Sequence, residues 1–443
     1  MFVARAKGLL ISTVAVCWAL AAPVQAQNPA GPAQQANITI DLKNALERAR
    51  ANSPQLQSAS IGVELAQQDR RLAKLGFYPS ASYFNQYIYT QGNGTESGIF
   101  VVNDGVHIYN SQAVVHQELY APGKLAEYRR TIAAEALAAA RRDVALRGLV
   151  ATVIQNYYGV IASQRHLATA QQSISEARGF VDITQKLESG GEVAHSDVVK
   201  AQLTLQQRER DLMDTQLAIE KAKVGLAVLM FPDYRTDFTL VDDLGTVGTL
   251  PPFDQIQALA KETSPDLRAA QETLRQEQYG VSIARSGYLP TFTFDYFYGI
   301  DNRQFAIHDE EGRNRLGSSA QATLNIPVFN WWTTRSKIRQ AELRRQQAQL
   351  DLTLTQRELV SNLHSTYLEA QSALAQLDSL KRTVDLATES LRLTNLRYQA
   401  GEVSVLEVVD AQSTLVQARN AYDDGLSRYR LALGNLQTLT GNY

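Results

Sequence analysis

Beyond its first 26 residues the 443-residue chain contains no cysteine; its single one, Cys17, lies in the N-terminal apolar stretch. A disulfide framework and a cysteine metal site are both excluded. Proline is scarce at 12 and glycine stands at 26, few enough to permit very long helices. Charge of one sign is not in excess: 43 Lys+Arg against 45 Asp+Glu give a formal net charge of -2, which gives no reason to expect nucleic acid as a partner. After Ala26 no apolar run of about 20 residues occurs, so no membrane helix is expected. Entry into a bilayer would then require a closed β-barrel. Hydrophobic residues make up 44% of the chain and charged residues 20%, which argues against wholesale disorder.

Chemistry is also lacking. The six histidines, His107, His116, His166, His195, His308 and His364, are scattered, and no His-x-x-x-His pair occurs, so neither a metal site nor a cofactor is expected. There is no Gly-x-x-x-x-Gly-Lys-Ser/Thr loop for nucleotide phosphates and no Gly-x-Ser-x-Gly elbow. The chain does not read as an enzyme.

What is present begins with a secretory signal over residues 1–26. Arg5 and Lys7 form its positive start, Leu9 to Ala22 its apolar stretch, and Val24-Gln25-Ala26 a small-residue cleavage site before Gln27. Val16 stands where lipidation of Cys17 would require a small residue, so lipidation is not expected.

The remainder is a tandem repeat. Ser53-Pro54-Gln55-Leu56 returns 211 residues later as Ser264-Pro265-Asp266-Leu267, and Gly76-Phe77-Tyr78-Pro79 returns as Gly287-Tyr288-Leu289-Pro290. Gly191-Glu192-Val193 returns 210 residues later as Gly401-Glu402-Val403. This spacing far exceeds a solenoid period and points to duplication of a whole unit. The division expected is a first repeat over 27–230, a linker over 231–253 and a second repeat over 254–443. Pro232, Gly245, Gly248, Pro251 and Pro252 mark the linker, which has room for short strands.

Each copy has the same internal order. A helical stretch comes first, Leu42 to Leu75 and Phe253 to Arg285, with a Ser-Pro near its start. Two strand-like runs follow. Phe292, Phe294, Tyr296 and Tyr298 alternate with Thr291, Thr293 and Asp295; Leu316, Ala320, Ala322, Leu324, Ile326 and Val328 alternate with Ser319, Gln321, Thr323 and Asn325. In the first copy Tyr83, Tyr87 and Tyr89 share a parity, and Val106, Ile108 and Val114 share one in the partner run. Polar, Gly-rich loops join the runs, Gln91 to Asp104 and Asp301 to Gly317. Tyr is the commonest aromatic, 19 against 13 Phe and 3 Trp, and it suits positions with one apolar and one wet end. Strand-to-helix turns are expected at Pro122 and Pro327. Beyond them lie Pro-free helical tracts, about Lys124 to Leu187 and Thr333 to Tyr398, each nearly 100 Å long at 1.5 Å per residue. Turns at Gly191 and Gly401 lead into further helices. There Val198, Leu205, Leu212, Ile219 and Leu226, and Val408, Leu415, Tyr422, Tyr429 and Leu436, fall seven apart, the seam of supercoiled helices.

Four strands cannot close a membrane barrel, whose smallest form has about eight. Three chains would supply twelve and gather the long helices into one hollow cylinder. The alternative is a secreted periplasmic coiled-coil protein with a small β-domain; the polar opposite face of the strands favours the water-filled barrel.

The chain resembles the TolC-type outer-membrane efflux protein family over nearly its whole mature length. The most specific stretch is Arg397-Tyr398-Gln399-Ala400-Gly401-Glu402-Val403-Ser404-Val405-Leu406-Glu407-Val408-Val409-Asp410-Ala411-Gln412, echoed by Ser189-Gly190-Gly191-Glu192-Val193-Ala194-His195-Ser196-Asp197-Val198-Val199; Ile326-Pro327-Val328-Phe329 adds a strand-to-helix step. The resemblance implies a homotrimer with a twelve-stranded barrel in outer-membrane lipid and a helical tunnel across the periplasm. It also implies docking to a periplasmic membrane-fusion adaptor and an inner-membrane pump of RND, ABC or MFS type, and passive conduction in efflux or type I secretion. By the same resemblance the turns at Gly191 and Gly401 form the periplasmic tip. Glu407 and Asp410 fall where the family carries an acidic entrance ring, and Asp197 and Tyr398 where it carries a closed-state latch. Val403 and Leu426 stand where arginines complete that latch in the family.

Overall fold

The computed structural model of the protein describes residues 38–89, 107–246 and 248–441. The signal segment with Cys17, the loop from Gln91 to Asp104 and Val106 lie outside these residues. No helix among those described is long and apolar enough to cross a membrane.

Both copies open on a helix that the sequence reads as continuous but the chain breaks in two. The first copy has α1 (Leu42–Asn52) and α2 (Pro54–Leu75); the second has α5 (Phe253–Thr263) and α6 (Pro265–Ser286). The break falls on the serine before proline, because the pyrrolidine ring drives the preceding residue out of the helical region. Ser53 has ψ 115° and Ser264 ψ 119°. Each serine then caps the helix that follows: Ser53 Oγ accepts from Leu56 N at 3.3 Å, and Ser264 Oγ from Leu267 N at 3.5 Å.

The strands β2 (Ser80–Tyr89), β3 (His107–Tyr120), β5 (Thr291–Asn302) and β6 (Gly317–Asn325) form one antiparallel sheet in the order β2-β3-β5-β6. Register sorts the side chains into two faces. Phe292 pairs with Leu324, Phe294 with Ala322 and Tyr296 with Ala320, while Thr293 pairs with Thr323 and Asp295 with Gln321. Across β3, Tyr296 meets Val115 and Asp295 meets His116, and across β2, Tyr83 meets Ala113 and Tyr87 meets Tyr109. One face is therefore rich in aromatic and aliphatic groups and the other carries His116, Glu118, Asp295, Thr293, Gln321 and Thr323. In the first copy Tyr83, Tyr87 and Tyr89 do share a face, and so do Ile108 and Val114, but not the same one: Ile108 pairs with Ile88 and Val114 with Ser82, which puts them on the polar face, opposite to the three tyrosines. A bulge between Glu118 and Tyr120 adjusts the register near the end of β3.

Two very long helices leave the sheet, α3 (Pro122–Ser189, 68 residues) and α7 (Thr333–Gln399, 67 residues), each about 100 Å at 1.5 Å per residue. They return as α4 (His195–Met230) and α8 (Val405–Leu439). The seven-residue seams do the packing: Val198, Ile219 and Leu226, and Val408, Leu415, Tyr429 and Leu436, are buried.

At the waist, β1 (Ile38–Ile40) pairs in parallel with β4 (Phe238–Leu240) of the linker; β1 adds a strand ahead of the first helix. The largest core lies here, joining Ile40, Tyr157, Leu226, Met230, Phe238, Leu244 and Tyr429. The linker is tied down by charge. Arg165 reaches both oxygens of Asp242 at 2.7 and 3.0 Å and Asp423 at 3.1 Å, while Tyr157 and Tyr429 donate to the backbone carbonyls of Val241 and Gly248 at 2.9 and 2.5 Å. Burial, with Asp243 beside it, pushes the Tyr158 hydroxyl up to about 12.

Candidate functional site at the helical tip

The end remote from the sheet is built from two turns of identical design. At the first, Glu192 N donates to Leu187 O at 2.9 Å and Gly191 N to Glu188 O at 2.8 Å; at the second, Glu402 N donates to Arg397 O at 2.9 Å and Gly401 N to Tyr398 O at 3.0 Å. These paired bonds close a Schellman motif, which needs a left-handed residue after the helix. Gly191 and Gly401 supply it, with φ of +75° and +72°. Open space surrounds both, so backbone conformation rather than crowding demands glycine there.

The returning helices start alike. Asp197 N donates to Ala194 O at 2.9 Å, and Glu407 N to Ser404 O at 3.1 Å. Asp197 and Glu407 are thus the same position of the two copies, three residues after the cap. The counterpart of Asp410 is Lys200, by the same spacing of 210. Glu407 and Asp410 are both exposed. Glu407 also has a local duty: with Ser404 it forms a capping box, accepting from Ser404 N at 3.3 Å. Ser404-x-x-Glu407 is the signal in the sequence that marks it.

Beneath the turns, Phe180, Val181, Ala201, Tyr398, Val405 and Val408 form a compact core shared by both copies, and Val403 packs against it. Tyr398 is 3% exposed and its ring lies 5.1 Å from that of Phe180. Among the described residues its hydroxyl has no partner at hydrogen-bonding geometry; beside it stands Thr184, whose own hydroxyl donates to Phe180 O at 2.8 Å. Burial raises the Tyr398 pKa, Thr184 pulls it back, and the Asp197 carboxylate raises it further, for a net upward shift. The structure thus brings Asp197, Tyr398, Glu407 and both glycine turns together at one end. Leu426 belongs instead to the waist core.

Pro122 and Pro327 lie at the opposite end, between sheet and helices, and differ from one another. Pro122 is the first residue of α3, where its missing N–H costs nothing. Pro327 is followed by Val328-Phe329-Asn330-Trp331-Trp332 before α7 begins. On the polar face of the sheet, His116 Nδ1 lies 2.6 Å from Asp295 Oδ1 and Lys124 Nζ lies 3.1 Å from Glu118.

The outer membrane efflux protein family model matches the chain twice, over residues 45–230 and 257–442. The chain is 22% identical over 430 residues to the alkaline protease secretion protein AprF of Pseudomonas aeruginosa, covering 91% of this chain and 85% of that protein. It is 26% identical over 302 residues to the cobalt-zinc-cadmium resistance protein CzcC of Cupriavidus metallidurans, covering 67% of each. The fold superposes on the Campylobacter jejuni CmeC outer membrane channel with a TM-score of 0.79 and 16% identity, covering 90% of this chain and 85% of that one. With both copies matched over their helices and sheet, the chain belongs to the outer membrane efflux protein family.

Proposed function

We propose that the chain is the exit duct of a tripartite efflux or type I secretion system, seated in the outer membrane and reaching into the periplasm. One observation carries the reading. A four-stranded sheet with one aromatic and one polar face keeps, among the described residues, two unpaired edges, β2 and β6, and stands on helices about 100 Å long. An aromatic edge left bare in water would aggregate. Because β2 and β6 run in opposite directions, β6 of one copy can pair antiparallel with β2 of the next, and the ring closes without a defect. Three copies give twelve strands, an even number as such barrels require, with the polar face lining the lumen.

Transport through such a duct is passive; a periplasmic adaptor and an inner-membrane pump supply docking and energy. No chemical step is assigned to the chain. The names of AprF and CzcC point to protein and metal-ion cargo respectively, so the duct's cargo is set by the pump it meets. At the tip, Glu407 and Asp410 act as an acidic entrance ring, joined by Asp197 from the equivalent position of the first copy. Asp197 and Tyr398 act as the closed-state latch, in which Tyr398 holds chiefly by packing on Phe180.

The double variant Glu407→Gln, Asp410→Asn tests the ring. Gln at 407 still serves a capping box, so folding and trimer yield should be unchanged. Cation selectivity and block by trivalent cations from the tip side should fall together. Unaltered selectivity with unaltered block would make both carboxylates ordinary solvated helix charges.

A further inference from the structure

The five residues between Pro327 and α7 have an unusual conformation. Trp331 and Trp332 have φ of 50° and 63°, the only non-glycine residues with positive φ among those described. Two bulky residues in succession there are conformationally unfavourable, and glycine would relieve both. The chain nevertheless carries two indoles, and it exposes them: Trp331 is 84% and Trp332 64% accessible, with Val328 at 90% and Phe329 at 66%. A backbone outlier of this kind persists where the side chains it presents contribute something that offsets it.

Two features say what covers them. Ile326 and Val328 continue the alternation of Leu324, so the patch extends the aromatic face of the sheet at its helix-facing rim. The residues just past it are basic and exposed: the Arg335 guanidinium stacks on the Trp332 ring at 5.5 Å, and Arg339 follows one turn later. Arg285 nearby is paired with Glu342 at 3.3 Å, whereas neither Arg335 nor Arg339 has an ion-pair partner among the described residues. The helix-to-strand corners repeat the theme, with exposed Phe77 and Tyr78 beyond Lys74, and Tyr288 beyond Arg285. Indoles at an apolar–water boundary, backed by free guanidinium groups, match a phospholipid surface: ring at the glycerol level, cation at the phosphate.

We propose that this rim is a phospholipid-headgroup collar, in which Trp331 and Trp332 seat in the periplasmic leaflet and Arg335 and Arg339 take lipid phosphate, anionic lipids being preferred. The proposal rests on the outer-membrane duct reading. It fixes the depth at which the barrel sits and so the reach of the helices below.

Once residues 1–26 are removed, Trp331 and Trp332 are the only tryptophans, so intrinsic fluorescence reports on the rim alone. The mature protein would be reconstituted in phosphatidylcholine vesicles, with or without phosphatidylglycerol, carrying bromines either near the headgroup or near the bilayer centre. Headgroup-level bromines should quench at least twofold more than deep ones. In mixed-micelle titrations, Arg335→Gln with Arg339→Gln should reduce the phosphatidylglycerol preference by about fivefold per charge removed. Absent or depth-independent quenching, in vesicles whose channels conduct, would overturn the collar and place the indoles against a second copy or in the lumen, leaving the duct intact. An unchanged lipid preference in the double variant would overturn the phosphate contacts. Vesicles without conductance and protein without a trimer would overturn the duct reading and the collar with it.

Discussion

Replacing Tyr398 by Phe and by Ala distinguishes two ways of holding the tip shut. The ring is 3% exposed and packs against Phe180 with centroids 5.1 Å apart and the planes tilted by 58°, joining the end of α7 to the end of α3. Tyr398→Ala removes that ring from a core of few members, at a cost of about 3–5 kcal/mol. Since the same core holds the two helix pairs together, local opening should rise by roughly two orders of magnitude or more. The hydroxyl has no partner at hydrogen-bonding geometry among the described residues, so Tyr398→Phe should change stability by less than about 0.5 kcal/mol, in either direction. Hydrogen exchange over residues 180–187 and 398–408 reads the opening directly, and bilayer recording reads its effect on conduction. The expectation is fast exchange and a more conductive channel for Tyr398→Ala, and wild-type behaviour for Tyr398→Phe. If Tyr398→Phe opens the tip as far as Tyr398→Ala, a charged hydrogen bond worth about 1.5–3 kcal/mol, with Asp197 as acceptor, holds the tip and the packing argument fails.

Leu324→Arg, on the aromatic face, should destabilise the barrel by about 2–4 kcal/mol, while Thr323→Arg, on the polar face, should fold normally and alter conductance; equal damage in detergent melts would show that the faces are misassigned. Ser404→Ala should lose the capping box at a cost of about 1 kcal/mol, seen as faster exchange in the first turn of α8 with the remote sheet unaffected. Gly401→Ala should cost about 1–2 kcal/mol through its left-handed backbone, and Gly191→Ala the same, so a large difference between them would break the equivalence of the two turns. At the waist, burial pushes Asp242 up, but the Arg165 contacts and the Leu244 N–H outweigh it and hold the carboxyl below its ordinary value. Its stabilising effect is therefore full above the ordinary carboxylate range and lost as pH falls through the depressed value. Arg165→Ala should remove that acid-dependent component, so its melting temperature should fall less than wild type between pH 5 and pH 3.

Much of this architecture is legible in the residues because it is periodic. The seven-residue seams from Val198 and Val408 dictate supercoiled helices, and the alternation from Thr291 to Tyr298 separates two faces, since period-two and period-seven patterns leave few alternatives. The glycine turns are legible from their recurrence at a fixed spacing. Where pattern is thin, the sequence is silent or misleading. Ile38-Thr39-Ile40 is too short to announce a strand, and its partner lies 200 residues away. In β3 apolar groups occur on both faces, Ile108 and Val114 on one and Tyr109 and Val115 on the other, so parity alone does not choose between them. The contact of Tyr398 with Phe180 joins the two copies across more than 200 residues, and no local signal marks it. Trp331 and Trp332 run against propensity, for nothing in a Trp-Trp pair predicts two left-handed residues.

The central claim, that copies of this chain close into a water-filled duct, is tested most directly by single-channel recording of the purified mature protein in a planar bilayer. Discrete, cation-selective steps, blocked by trivalent cations added on the tip side and not on the other, are the predicted result. A protein that remains a monomer in water without detergent and adds no conductance to the bilayer would contradict it.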